Sequence, residues 1–427
     1  MAKPTHQIRV VPMTFEEDPK GLLFFDTGTA KLTDLRSVKL LRCGVDTVRQ
    51  HYRGVLRPEV MALVDGHGIV SFAGEQWHLG RVGRDSGYQY KLQNADLGLI
   101  LLIKNFNAKA DSFGPHLKIE VSPHAIDSRS PGELQQVMDD LAGEVLQAVE
   151  RNQAAVHLAL DVQGWTPPAD IAARMHCRAR VQRCINGIHE VDWATKSSTY
   201  SRGETAMFGS ASGLQLCIYN KTEQARATDK LDYWESVWKR TDNPFDDQDP
   251  DNYDPEQDVT RVELRFHHSI VEQFTLGSCD TSTGEVIGGH SYSELVPHLD
   301  GLWRYGCEAF RLLDRPNRYN AFWTLISQDV SVQVPVNSLV DNTEYRRYYK
   351  TAKGFSGKNV ELFLGNFVSL LARERVGAQK AFESLQQWDC WPVIRDHYAA
   401  KGKTERDIYK HIKALLEERH IRWGRAV

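Results

Sequence analysis

Apolar and polar residues alternate with a period of two in three stretches of this chain. That period belongs to β-strands, whose successive side chains point to opposite faces. In residues 156–162 (VHLALDV), Val156, Leu158, Leu160 and Val162 fall on one face, and His157, Ala159 and Asp161 on the other. In residues 260–266 (TRVELRF), Val262, Leu264 and Phe266 oppose Arg261, Glu263 and Arg265. In residues 214–224 (LQLCIYNKTEQ), Leu216 and Ile218 oppose Tyr219, Lys221 and Glu223, read as one continuous strand. A sheet solvated on one side alternates in this way. Here the second face concentrates carboxylates and guanidiniums beside a phenol and an ammonium.

The first ~125 residues carry further strand patterns. They are GLLFFDTG, VSFAGEQWHLG, GYQYKLQN, LGLILLIKNF and HLKIEVSP, separated by Gly, Asp and Pro. Residues 32–54 read as helical in part, with Arg36, Lys39, Arg42, Arg49 and Arg53 forming a solvated face or a DNA-recognition helix. Ser130-Pro131-Gly132-Glu133 is a helix start with a capping box. Leu134, Val137, Leu141, Val145 and Val149 continue it at helical spacing to Arg151-Asn152. Further helices are expected at 225–240, 291–313 and 404–419. The pattern predicts an α+β fold, largely antiparallel sheets with helices packed on one face and the site on the polar face of the central sheet. It divides into a sheet-rich module (1–128), a catalytic domain (129–335) and a basic helical C-terminal region (336–427).

Charge sharpens this division. The chain of 427 residues has a formal net charge of −4, yet from Asn342 onward 17 Lys and Arg stand against 10 Asp and Glu. Arg346, Arg347 and Lys350 lie in a run of interleaved aromatics (YRRYYK), a pattern suited to tracking phosphates while rings stack on bases. Residues 242–258 contain eight acidic residues and no basic ones, and read as a disordered loop. No apolar run reaches the ~20 residues of a membrane helix. The seven cysteines form no C-x-x-C pair, which argues against disulfide or zinc frameworks and fits a reducing cytoplasm.

The run ETAMFGSASGLQLCIYNKTEQ, followed by TRVELRF, resembles the replication initiation factor family, most of all the initiators of filamentous bacteriophages. The resemblance covers residues 156–274. It implies a rolling-circle initiator that nicks and rejoins one origin strand through a covalent 5′-phosphotyrosine. Tyr219 would be the nucleophile, with Lys221 and Glu223 assisting. Asp161, Glu263 and Glu223 would be ligands for Mg²⁺ or Mn²⁺, and Arg261 and Arg265 phosphate contacts. Expected partners are double- and single-stranded origin DNA and a host helicase, with room for a homodimer. A relaxase of a conjugative element shares this chemistry. A non-catalytic DNA-binding regulator of replication or transcription is the remaining alternative.

Overall fold

The computed structural model describes residues 8–10, 23–26, 31–66, 68–177, 182–186, 204–228, 230–239, 253–277, 288–315, 318–335 and 357–423. The chain divides into two compact units, Met1–Glu223 with Glu235–Arg346, and Gln224–Trp234 with Arg347–Val427. The fold is α+β, as the alternation predicts.

In the first unit a small antiparallel sheet joins β1 (Ile8–Val10), β2 (Leu23–Asp26) and β3 (Lys31–Asp34). A second small sheet joins β11 (Met175–Cys177), β16 (Phe310–Arg315) and β17 (Arg318–Tyr319). The main sheet has eleven antiparallel strands. Its first six in chain order are β4 (Lys39–Leu56), β5 (Gly68–Phe72), β6 (Glu75–Arg81), β7 (Tyr88–Asn94), β8 (Leu99–Asn105) and β9 (Gly114–Val121). The others are β10 (Leu146–Gln163), β12 (Gln182–Asn186), β13 (Glu204–Gly209), β14 (Leu214–Asn220) and β15 (Thr260–Phe266). In space they run β12–β13–β14–β15–β10–β4–β9–β8–β7–β6–β5. The three alternating stretches are therefore neighbours, with Tyr219 opposite Arg261 and Arg261 opposite Asp161.

The helices around these strands include α1 (Pro58–Val64), α2 (Pro123–Asp127), α3 (Pro131–Val145) and α4 (Ile171–Arg174). α5 (Lys221–Ala227) and α6 (Leu231–Trp238) follow β14, and α7 (His268–Leu276) follows β15. Then come α8 (Tyr292–Leu295), α9 (Leu299–Ala309) and α10 (Ala321–Gln328). Val156, Leu158, Leu160, Val262, Leu264 and Phe266 share one core with Met138, Leu302 and Trp303 from α3 and α9. The opposite sheet face keeps its polar side chains.

Four expectations change. Residues 39–56 form the strand β4 instead of part of a helix, because Val45, Val48 and Tyr52 are buried against the sheet's core in an extended ladder with β9 and β10. The capping box at Ser130 is present, with Ser130 Oγ accepting from Glu133 N at 3.3 Å and Glu133 Oε2 accepting from Ser130 N at 2.8 Å. Its helix ends at Val145, however, and β10 begins at the next residue, so Val149 is an exposed strand residue. The boundary expected at 128/129 falls inside one sheet, since β4 on one side pairs with β10 on the other. Finally, the helix expected at 225–240 is divided into α5 and α6, and the helices expected at 291–313 end at Ala309, where β16 begins.

The acidic stretch 242–258 is docked at its end. Tyr253 is buried and its ring lies 5.3 Å from that of Trp238. Gln163 Nε2 donates to the carbonyls of Asp254 (2.7 Å) and Gln257 (2.8 Å). The rest of that stretch lies outside the described residues.

The second unit contains α11 (Gly357–Arg373), α12 (Ala378–Gln386), α13 (Trp391–Ala400) and α14 (Glu405–Trp423), around a core of Leu364, Val368, Leu385, Ile394 and Ile412. Ile408, Ile412 and Leu416 are buried on α14, the helix expected at 404–419. Arg346, Arg347 and Lys350 lie outside the described residues. No helix among the described residues is long and apolar enough to cross a membrane.

Candidate metal and tyrosine site

Four adjacent strands meet on the polar face. The hydroxyl of Tyr219 on β14 donates to Glu263 Oε2 on β15 at 2.9 Å. Glu263 Oε1 lies 3.2 Å from His157 Nδ1 on β10 and accepts from Arg265 Nε at 2.7 Å. Asp46 on β4 completes the group, and one ligand atom each from Asp46, His157 and Glu263 lie within 4.8 Å of one another.

Asp46 reaches this site through a β-bulge. Thr47 pairs with His157 and Val45 with Leu158, so Asp46 is an extra residue with no partner across the ladder. Such a bulge re-aims a side chain without ending the strand. Sequence periodicity does not single out Asp46, because residues 32–54 read as partly helical. A signal is nevertheless present: Cys43 and Val45 face the core in one phase, Val48 and Tyr52 in the other, and the slip falls at Asp46.

Other expected ligands have different roles. Asp161 is buried and binds Arg261 in bidentate fashion, through Nε (2.6 Å) and Nη2 (2.7 Å), while Trp238 Nε1 donates to it at 2.9 Å. It stands outside the three-residue group. Arg261 also pairs with Asp46 and is fully buried, so its guanidinium is committed to two carboxylates and does not face an incoming phosphate. Arg265 remains partly exposed beside Glu263.

Lys221 and Glu223 are not on the strand. Asn220 caps α5, its Oδ1 accepting from Glu223 N at 2.9 Å, and β14 ends there. Asn-Lys-Thr-Glu has the form of an N-cap with Glu at the third helical position, a signal that competes with the strand pattern and prevails. The row of Tyr219, Lys221 and Glu223 on one pleated face therefore does not form. Lys221 is nevertheless buried within the field of Arg261, Asp46, Asp161 and Glu263. Glu223 is half-buried in the first turn of α5 and outside the three-residue group.

The electrostatics follow from burial. Burial and the nearby charge of Glu263 push the Tyr219 phenol up, so it stays protonated and donates. Burial and the Arg261 charge bring Lys221 down to about 7. Burial favours a neutral Glu263, but Arg265 and the His157 hydrogen bond hold its carboxyl well below the usual range. Burial lowers His157, leaving a neutral imidazole suited to a metal. Burial likewise opposes an ionised Asp46, and Arg261 outweighs it. Asp46, Asp161 and Glu263 thus face Arg261, Arg265 and a Lys221 poised near neutrality. Two carboxylate oxygens and one imidazole at this spacing form a donor set that could hold a divalent cation.

The chain is 60% identical over 432 residues to the uncharacterized protein ORF430 of Pseudomonas phage Pf1, with 100% of each chain covered. No family model matches the chain, and no solved structure matches it.

Proposed function

The chain belongs to one family with this Pf1 phage protein, and we propose that it is a replication initiator which nicks and rejoins one DNA strand through Tyr219. The observation that carries the reading is the Tyr219–Glu263 hydrogen bond of 2.9 Å beside the Asp46–His157–Glu263 group. A hydroxyl held by a carboxylate at hydrogen-bond distance has the geometry of a positioned nucleophile. The phenolic oxygen gives up its proton, for which Lys221 is the acceptor, and attacks a phosphodiester; the bond from phosphorus to the 3′-oxygen breaks, and that oxygen takes the proton back from Lys221 and leaves as a 3′-hydroxyl. The phosphate stays on Tyr219 as a 5′-ester, which keeps the bond available for rejoining.

Mg²⁺ or Mn²⁺ held by Asp46, His157 and Glu263 would supply positive charge that favours the phenolate and polarises the phosphate. Arg261 and Asp161 fix Asp46 from behind. Arg265 holds Glu263 and keeps its carboxylate ionised, so that it accepts the phenolic hydrogen bond and aims the oxygen. Lys221, near neutrality, is suited to exchange a proton at the site. Origin DNA and a host helicase are the partners of this reading. The phage source of the relative favours replication over conjugative transfer as its setting.

Incubation with supercoiled phage DNA and Mn²⁺ tests the reading. The expected product is a nicked circle with protein on its 5′-end, the linkage mapping to Tyr219. Tyr219→Phe should abolish the adduct and retain DNA binding. No adduct, or one at another tyrosine, would overturn it.

A further inference from the structure

The polar face continues away from the site along β4 and β9. Arg49 and His51 follow Asp46 and Thr47 on β4, and in register they lie beside Glu120 and Lys118 of β9. Arg49 is opposite Ala155, one pleat from His157. At the start of α7, His267 and His268 close over this patch, with ring centroids 3.9 Å apart and that of His268 5.3 Å from His51. Two cations and three imidazoles thus converge; the acids beside them are Glu120, which binds Lys118 Nζ at 2.8 Å and Arg49 Nε at 3.3 Å, and Glu272 of α7, whose charge acts on His268. Farther along β4, Arg53 lies over the exposed Phe113 ring at 5.1 Å, with Glu150 as its cross-strand partner.

Two features suit this patch to an anion. His268 Nδ1 is buried without a hydrogen-bond partner, and a buried polar atom left so calls for one. The N-terminal end of α7 adds its partial positive charge to the same spot. Burial lowers all three imidazoles and Lys118 adds to this, with neighbouring imidazoles acting further on His51 and His267 and Glu272 opposing the shift at His268.

We propose that Arg49, His51, Lys118, His267 and His268 form a second phosphate-binding station, which holds the nucleic-acid backbone beside the phosphate at Tyr219. This rests on the proposed function for its substrate and extends it to a path across the sheet. The ligand is a phosphodiester backbone, either an intact duplex or a separated single strand. A phosphate oxygen there would accept from Arg49 and Lys118 and offer His268 Nδ1 the partner it lacks. Arg53 and Phe113 continue the path with a cation and a ring on which a base can stack.

The test uses the full chain with Tyr219→Phe, so that binding is read without cleavage. Anisotropy of a labelled single strand and of a duplex of equal length is followed against salt. In Arg49→Gln/Lys118→Gln, affinity should fall, and the slope on the single strand should lessen by up to about 1.4, about 0.7 for each phosphate no longer neutralised. Glu120→Gln removes the opposing charge and should tighten binding, an outcome that damage to the fold does not produce. A larger effect on the single strand assigns the station to the separated strand, and a larger effect on the duplex to the intact origin. Glu120→Gln binding no tighter than the parent, or an unchanged slope in the double variant, overturns the station. If Tyr219-competent protein forms its adduct in that case, the proposed function stands alone. If no adduct forms but the charge variants shift binding as expected, the station stands and the nicking assignment falls.

Discussion

Glu263 serves Tyr219, His157 and Arg265 with its two oxygens, and this crowding makes Asp46 the more separable member of the group. Its carboxylate is held by Arg261, which Asp161 anchors in turn. Asp46→Asn keeps the shape and removes a ligand charge, so Mn²⁺ affinity measured by calorimetric titration should drop at least ~10-fold, the equivalent of ~1.4 kcal/mol. Asp161→Asn should behave differently. It breaks a buried ion pair and should reduce stability by about 3 kcal/mol, while leaving all three ligand atoms in place. Loss of Mn²⁺ binding in Asp161→Asn alone, with Asp46→Asn unaffected, would reverse these assignments. Tyr219 and Glu263 are legible from alternation because their strands are short and regular. Asp46 is not, because a bulge hides a residue from any fixed period.

At the scale of the element, composition misleads where a few contacts outweigh it. The stretch 242–258 is acidic and proline-rich, yet Tyr253 docks on Trp238 and Gln163 secures the backbone at Asp254 and Gln257. Trp238 in turn donates to Asp161, so this docking lies directly behind the Arg261 clamp. Tyr253→Ala should lower the unfolding free energy by about 3 kcal/mol, as for other large aromatics cut back in a core. Urea denaturation measures it, and an unchanged midpoint would mean that Tyr253 rests on the surface without holding it. β9 and the capped start of α3 are readable because each depends on neighbours in sequence. β4 is not: its arginines fall at helical spacing, and only pairing with β9 and β10, between 60 and 124 residues away, settles its conformation.

The whole molecule should register pH through the histidines between the strands and α7. Burial, then Lys118, brings His51 down to about 3 from an ordinary value of 6.5. Burial, then His268, brings His267 to about 4. The unfolded chain therefore binds more protons than the folded one below about pH 6.5, and stability rises with pH across that window. It is lost as pH falls toward the folded values. The urea midpoint should decline from pH 7 to pH 5, above the range where Asp46 and Glu263 contribute, and His51→Gln should flatten the decline. A flat profile in the parent, or an equal slope in the variant, would exclude His51 as the cause. The order of the large sheet also bears on how the protein is made. β10 ends at Gln163, whereas β15, which covers one of its edges, begins only at Thr260. At ordinary rates of synthesis, roughly 5–20 s separate the two on the ribosome. The β13–β14 hairpin emerges in that interval but cannot shield β10, because β15 lies between them. A nascent chain that has paired β4 with β10 thus displays a long bare edge, and two ribosomes on one message bring two such edges together.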